Sequence, residues 1–129
     1  MAPDGLAEVA DGTGLDPLLR ALADPTRRRV VEILSAGPRR AGALSSALQV
    51  SAPTTSKHLR VLLDSGVVED RRDPGDARAR IFDLKLATVT ALQSWLDQLE
   101  ANWDEQLRAF KRHAETAHVQ GARPERGET

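Results

Sequence analysis

Apolar residues recur at three- and four-residue intervals in five stretches of the chain, and each stretch predicts an amphipathic helix. The first gathers Leu15, Leu18, Leu19 and Leu22, and the second carries Val30, Val31, Ile33 and Leu34 before Gly37-Pro38 stops it. Asp16-Pro17 and Asp24-Pro25 each set a capping residue ahead of a proline, whose missing N–H does no harm at the first helical position, so helices are expected to begin there. A third helix spans roughly Ala41 to Leu48, with Leu44 and Leu48 inward. Ser51 is placed to cap a fourth, with Pro53 in its first turn and Gly66 positioned to end it in a left-handed conformation. At about 100° per residue, Thr55, Leu59, Leu62 and Leu63 fall on one side of this helix. Thr54, Lys57 and Val61 fall on the other, with Pro53, His58 and Arg60 at its edges. The fifth and longest begins near Ala87 and repeats Leu92, Leu96, Leu99, Trp103, Leu107 and Phe110.

Between the fourth and fifth helices the period changes. Val67 to Arg72 and Arg78 to Leu84 predict two strands joined by a turn at Asp73-Pro74-Gly75-Asp76. Arg78, Arg80, Phe82 and Leu84 share one parity, and Ala79, Ile81 and Asp83 the other, without a clean division into apolar and polar faces. A helix-turn-helix pattern from Leu44 to Leu63 followed at once by a charged hairpin predicts a mainly α fold with a small β-hairpin, a winged helix-turn-helix. In that arrangement one helix enters a major groove while the hairpin reaches a neighbouring phosphate strand.

The net charge of −1 looks wrong for a partner of nucleic acid until the charges are divided along the 129 residues. Residues 1–19 hold four acids and no Lys or Arg, residues 20–80 hold twelve bases against seven acids, and residues 81–129 hold six bases against eight acids. The surplus of positive charge therefore coincides with the helix-turn-helix and hairpin, and attraction to phosphate follows local charge. With 40% hydrophobic residues the chain supports one modest domain plus tails. The absence of cysteine excludes disulfides, thiolate metal sites and thiol catalysis. Without a membrane-length apolar run, and with Asp4, Glu8 and Asp11 where a signal peptide would be basic, the expected location is the cytoplasm, with no membrane partner.

Thr54 and Lys57 are the candidates for base edges, since a hydroxyl can pair with several edges and an ammonium can donate to guanine, and the sequence leaves open whether Lys57 meets a base or a phosphate. Ser51, Pro53, Ser56 and Arg60 are expected along the backbone of double-stranded DNA, and His58 in a packing or phosphate role. Arg71, Arg72, Arg78 and Arg80 are expected at phosphates or in the minor groove. The run Arg27 to Arg29 reads as a solvated face with one phosphate contact. Nothing points to catalysis: Ser56 and His58 stand two apart on a helix and cannot face each other, and no Gly-rich phosphate loop is present. His113 and His118, five apart, are poorly spaced for one metal, and no cofactor is expected. The apolar stripe of the last helix, with both tryptophans, is longer than a small winged domain needs and predicts self-association.

The run Leu22-Ala23-Asp24-Pro25-Thr26-Arg27-Arg28-Arg29, followed by Val30, Val31 and Leu34, together with Ser51 to Leu63 and the Arg-rich hairpin, resembles the ArsR/SmtB family of bacterial winged-helix repressors over roughly residues 15–110. More narrowly it is similar to the cysteine-free branch whose last helix carries paired aromatic residues. The resemblance implies a homodimer held by the first and last helices, which represses transcription at a short inverted-repeat operator. The seam would then comprise Leu15, Leu18, Leu19, Leu22, Leu92, Trp95, Leu96, Leu99, Trp103, Leu107 and Phe110.

The corresponding division is a flexible arm at 1–14, a DNA-binding domain at 15–86, a dimerisation helix at 87–117 and a flexible tail at 118–129. Gln49 stands where the family's turn has Gly, Ser45 replaces a small Ala, and Thr55 a buried aliphatic residue. The cysteine pair of metal-sensing relatives is missing from Pro38 to Leu44. Asp97 and Asp104 lack the His two positions on that zinc-sensing relatives carry, so no family metal site is expected. Two other readings fit the residues: a winged helix that docks a different protein through Trp95 and Trp103, or a sensor of an unidentified small-molecule effector.

Overall fold

Among the described residues the order of elements is α1 (Leu15–Ala23), α2 (Pro25–Ser35), β1 (Arg39–Arg40), α3 (Ala41–Leu48), α4 (Ala52–Asp64), β2 (Val68–Asp73), β3 (Asp76–Leu84) and α5 (Leu86–Glu128). The structure, a computed structural model, describes residues 14–128, with side chains described from Gly14 through His118; the expected arm, Gly14 apart, lies outside the described residues. The chain divides into two units, Met1–Trp95 and Leu96–Thr129, the second being the distal part of α5.

The first unit is built on one apolar cluster. Leu18 and Ala21 of α1, Val30 and Leu34 of α2, Leu44 of α3, Leu59 and Leu62 of α4, Val67, Val68, Phe82 and Ala91 pack together. The strands form an antiparallel sheet in the order β1-β3-β2. Asp70 pairs with Phe82, Arg71 with Ile81 and Arg72 with Arg80, and Asp73 pairs with Asp76 after an irregularity. β1, absent from the sequence reading, pairs Arg39 with Phe82 and Arg40 with Ile81.

The second helix begins where the sequence places it. The Asp24 carboxylate accepts hydrogen bonds from the backbone N–H groups of Thr26 (2.8 Å) and Arg27 (3.1 Å), with Pro25 opening α2. The first begins earlier than expected: Gly14 precedes it, and Asp16 and Pro17 lie inside its first turn. A proline is tolerated there because the first four N–H groups of a helix have no intrahelical acceptor in any case.

The arginines after Asp24 are structural. Arg27 donates through Nε to the Ala21 carbonyl (2.7 Å) and through Nη2 to that of Arg20 (3.1 Å). Arg28 donates through Nη1 to the carbonyls of Leu22 (2.8 Å) and Ala23 (3.0 Å). Two guanidinium groups thus satisfy the open carbonyls of α1 and place positive charge at its negative end. Arg29 pairs with Glu32 at 3.6 Å. The run thus builds a helix junction that its sequence reading as a solvated face does not include.

The turn between α3 and α4 adopts the conformation its glycine-like position demands: Gln49 has φ 58° and ψ 43°. A side chain in this left-handed region costs about 1 kcal/mol relative to Gly. The other two departures from the family pattern meet each other. Ser45 Oγ donates to Thr55 Oγ1 (2.7 Å), and Thr55 Oγ1 donates to the Ser51 carbonyl (3.0 Å). Thr55 is fully buried, so its hydroxyl requires these partners. At the other end of α4, Gly66 takes φ 82° as expected of a left-handed terminator, and its carbonyl accepts from Thr88 Oγ1 (2.7 Å) in the first turn of α5.

On α1, Leu15 and Leu18 are buried within the first unit and Leu22 packs against its core, which leaves Leu19 exposed. Leu92 also packs against that core, and Trp95 is half-buried. Within the second unit Leu96, Leu99, Trp103, Leu107 and Phe110 are all exposed, and they recur at helical spacing along one stripe. α5 continues to Glu128 where the sequence reading ends it at 117. That stretch includes Gly121 and Pro124, the kind of residues on which the sequence reading ends a helix. No helix among the described residues is long and apolar enough to cross a membrane.

Two outcomes follow for stability. Ser45→Ala and Thr55→Val should each cost about 1 kcal/mol in urea unfolding, and the double substitution should cost less than their sum by at least about 0.5 kcal/mol. Strict additivity would show the two hydroxyls to be independent. The Asp24 carboxyl is held below its ordinary value, first by the Arg27 N–H, against an opposing effect of burial, then by the Thr26 N–H and the charges of Arg27 and His58. Because the folded-state value lies below the unfolded value of about 3.9, this stabilisation is complete above that pH and is lost as pH falls through the folded-state value. Asp24→Asn should therefore lose stability less steeply on acidification than the parent protein. Parallel curves would remove Asp24 from the acid response.

Candidate nucleic-acid interface

The outward side of α4 is polar because its inward side is fixed by Thr55, Leu59 and Leu62, all buried. Ser51 accepts from the Thr54 backbone N–H (3.2 Å) and donates to Thr54 Oγ1 (2.9 Å), which closes the N-terminal turn. The Thr54 hydroxyl keeps its own hydrogen for an external acceptor. Ser51, Pro53, Ser56, Lys57, Arg60 and Val61 are exposed, and Thr54 and His58 are half-buried. Among the described residues Lys57 has no acidic partner, so its ammonium projects into solvent uncompensated. His58 differs from these neighbours. Its charge reaches Asp24 at the α1–α2 junction, which sets it toward the body of the domain.

The hairpin sorts its arginines into two kinds. Arg71 pairs with Asp83 (3.6 Å) and Arg80 with Asp70 (3.5 Å), in each case diagonally across the two strands. Both pairs are substantially exposed, where such contacts contribute little and exchange readily for phosphate. Arg72 and Arg78 have no acidic partner among the described residues. Arg72 also stands directly opposite Arg80, and like charges in that register repel unless an anion lies between or beside them. A cleft of about 220 Å³ runs between the helix and the hairpin, lined by Ser56 and Arg60 on one side and by Asp70, Arg80 and Phe82 on the other. Helix and wing thus bring Arg60 and Arg80 to opposite sides of one cleft.

The wing tip is shaped by a residue that sequence reasoning left in the turn. Asp73 Oδ1 accepts from the Gly75 N–H (2.9 Å), and Oδ2 accepts from Arg40 Nε (2.9 Å) and from Arg40 Nη2. These contacts hold the Asp73 carboxyl below its usual range, the Gly75 N–H most and Arg40 next, and they raise the Arg40 guanidinium further. Arg40 carries no local signal of this role, because its partner is 33 residues away. Among the described residues no group of three or more His, Asp or Glu side chains is placed to hold a metal ion, and His113 and His118 are both exposed.

A helix-turn-helix domain model matches residues 22–71, the segment that carries the α1–α2 junction, α3, α4 and most of β2. The chain is 42% identical over 83 residues to the HTH-type transcriptional regulator Rv2034 of Mycobacterium tuberculosis, covering 64% of this chain and 75% of that protein. It is 38% identical to the HTH-type transcriptional repressor SmtB of the same organism, over 64% of this chain and 59% of SmtB. An ArsR-like transcriptional regulator from Rhodococcus sp. RHA1 superposes with a TM-score of 0.68 at 28% identity, covering 77% of this chain and 91% of that structure. With the winged helix-turn-helix architecture they share, these likenesses identify a DNA-binding transcriptional repressor and not an enzyme: the chain belongs to the ArsR/SmtB family.

Proposed function

We propose that the protein works as a homodimer which sets α4 of each copy into successive major grooves of an inverted-repeat operator and grips the flanking backbone with its wings. The observation that carries this reading is the exposed Lys57 on the outward side of α4, without an acidic partner among the described residues, in a domain whose hairpin leaves Arg72 and Arg78 likewise unpaired there. Thr54 and Lys57 take base edges; Ser51, Pro53, Ser56, Arg60, Arg71, Arg72, Arg78 and Arg80 take phosphates and sugars; His58 packs at the edge. Half-sites lie about one helical turn apart, on the order of 34 Å.

In this reading residues 15–86 form the DNA-binding domain and 87–117 the dimerisation helix. The seam uses Leu19, Leu96, Leu99, Trp103, Leu107 and Phe110, those residues of the expected seam that are exposed in one copy, with Trp95 at its margin. Five large apolar side chains along one helical stripe form a patch of the kind that soluble chains cover by association. The protein is placed in the cytoplasm and, when bound, on the nucleoid. With no cysteine in the chain, a thiolate-bound metal cannot be the signal that releases it.

Site selection from a random duplex library should return an inverted repeat, and recovery of no preferred sequence would contradict the reading. On the selected duplex Lys57→Ala should reduce discrimination between the operator and single-base variants by about 1–3 kcal/mol at the position it reads. Arg72→Ala with Arg78→Ala should weaken all sequences and lower the salt slope by about two phosphate contacts, whereas Arg71→Ala should change it less. An unchanged slope in the double variant would remove the wing from the interface. Trp103→Glu should scatter light as a monomer while keeping its helical circular dichroism, and a persisting dimer would place the seam elsewhere.

A further inference from the structure

We propose that Arg40 and Asp73 are positioning residues, a latch that fixes the wing tip against the start of α3 so that Arg72 and Arg78 meet the operator backbone. This rests on the DNA-binding reading and adds a residue, Arg40, that belongs to neither the reader helix nor the wing. The need for a latch comes from the sheet. β1 supports β3 only at Phe82 and Ile81, so toward the tip the hairpin is a two-stranded ribbon. Such ribbons hold their shape poorly alone. The ladder is also irregular between Arg72 and Asp73, where the ribbon approaches its turn.

Asp73 compensates on two sides. One carboxylate oxygen closes the turn through the Gly75 N–H, and the other takes two donors from the Arg40 fork. Arg40 is the residue immediately before α3, the first helix of the helix-turn-helix pair, so the contact joins the wing tip to the element that carries α4. Asp73 is 16% exposed and Arg40 51%, so the carboxylate is enclosed by its partners while the guanidinium keeps one side open to solvent. Arg72 precedes Asp73 in the chain, and its direction is set where Asp73 is anchored.

The latch has a consequence opposite to that of simple charge. Asp73 is an acid within a cationic wing, and Asp73→Asn, which preserves an oxygen for the Gly75 N–H, makes the surface more positive by one. Charge alone predicts tighter binding to any duplex. Positioning predicts weaker binding to the selected duplex.

The test uses the full chain, a duplex selected by the parent protein from a random-sequence library, and a random duplex of equal length, with affinity measured across a salt series. Asp73→Asn should bind the selected duplex about fivefold to tenfold more weakly, with a shallower salt slope, and the random duplex no more weakly than the parent. Arg40→Gln should lose more on the selected than on the random duplex, and the double variant should lose no more than the worse single. Unfolding midpoints identify any variant that fails to fold, and the remaining single variant then decides. Binding of Asp73→Asn to the selected duplex as tightly as the parent or more so, equal losses on both duplexes for Arg40→Gln, or additive losses in the double would overturn the latch alone. If the parent selects no duplex, the DNA-binding reading itself fails, and the latch with it.

Discussion

The buried hydroxyl of Thr55 fixes the rotation of α4, and the character of the exposed surface depends on that rotation. Held by Ser45 from α3 and donating in turn to the Ser51 carbonyl, it sets one side of α4 into the core together with Leu59 and Leu62. A change of one residue in the inward position would turn the helix by about 100° and re-aim Lys57 to the direction that Ser56 or His58 now takes. The left-handed Gln49 performs the complementary task of bending the chain between α3 and α4 in a single residue. Its strain is the kind of local cost that surrounding packing sustains, here Leu44 on one side of the turn and Leu59 on the other.

Two polar residues in place of an apolar pair thus leave the family's geometry intact. Ser45 alone would be a hydroxyl at a helix contact in need of an acceptor, and Thr55 alone, its hydrogen already given to the Ser51 carbonyl, a buried oxygen with no donor. Together they satisfy each other, which is why neither substitution disturbs the turn. The α1–α2 junction shows the same economy of partners. Asp24 caps the helix that follows it, and Arg27 and Arg28 satisfy the helix that precedes it. The Asp-Pro-Thr-Arg run is thereby accounted for by backbone hydrogen bonding at the junction.

What the sequence makes legible is what local rules govern. The Asp24 cap, the Ser51 cap, the left-handed Gly66 and the inward set on α4 are each decided within a few residues by hydrogen bonding or by helical period. Asp16-Pro17 misled because a proline suits the interior of a first turn as well as its opening. β1 was illegible because two residues carry no period, and its pairing is decided by Ile81 and Phe82 far along the chain. The Arg40–Asp73 contact was hidden for the same reason. Hydrophobic period also cannot separate a core side from a seam. Leu15, Leu18 and Leu19 look alike in sequence, yet the first two are buried in the protomer and the third is exposed. At the hairpin, parity correctly joined Arg80 with Phe82 on one side of β3, but could not show that Asp70 of β2 pairs with Arg80 while Arg72 is left without an acidic partner among the described residues.

The central claim is that the exposed side of α4 lies in the major groove with Lys57 at a base edge. Guanine N7 methylation, which blocks that groove alone, tests it most directly when interference is mapped along a duplex selected by the protein. The account predicts two clusters of interfering guanines about one helical turn apart, with the inner guanine of each cluster losing its effect when Lys57 is replaced by Ala. Binding that tolerates methylation at every guanine N7 and is blocked only by minor-groove adducts would contradict it.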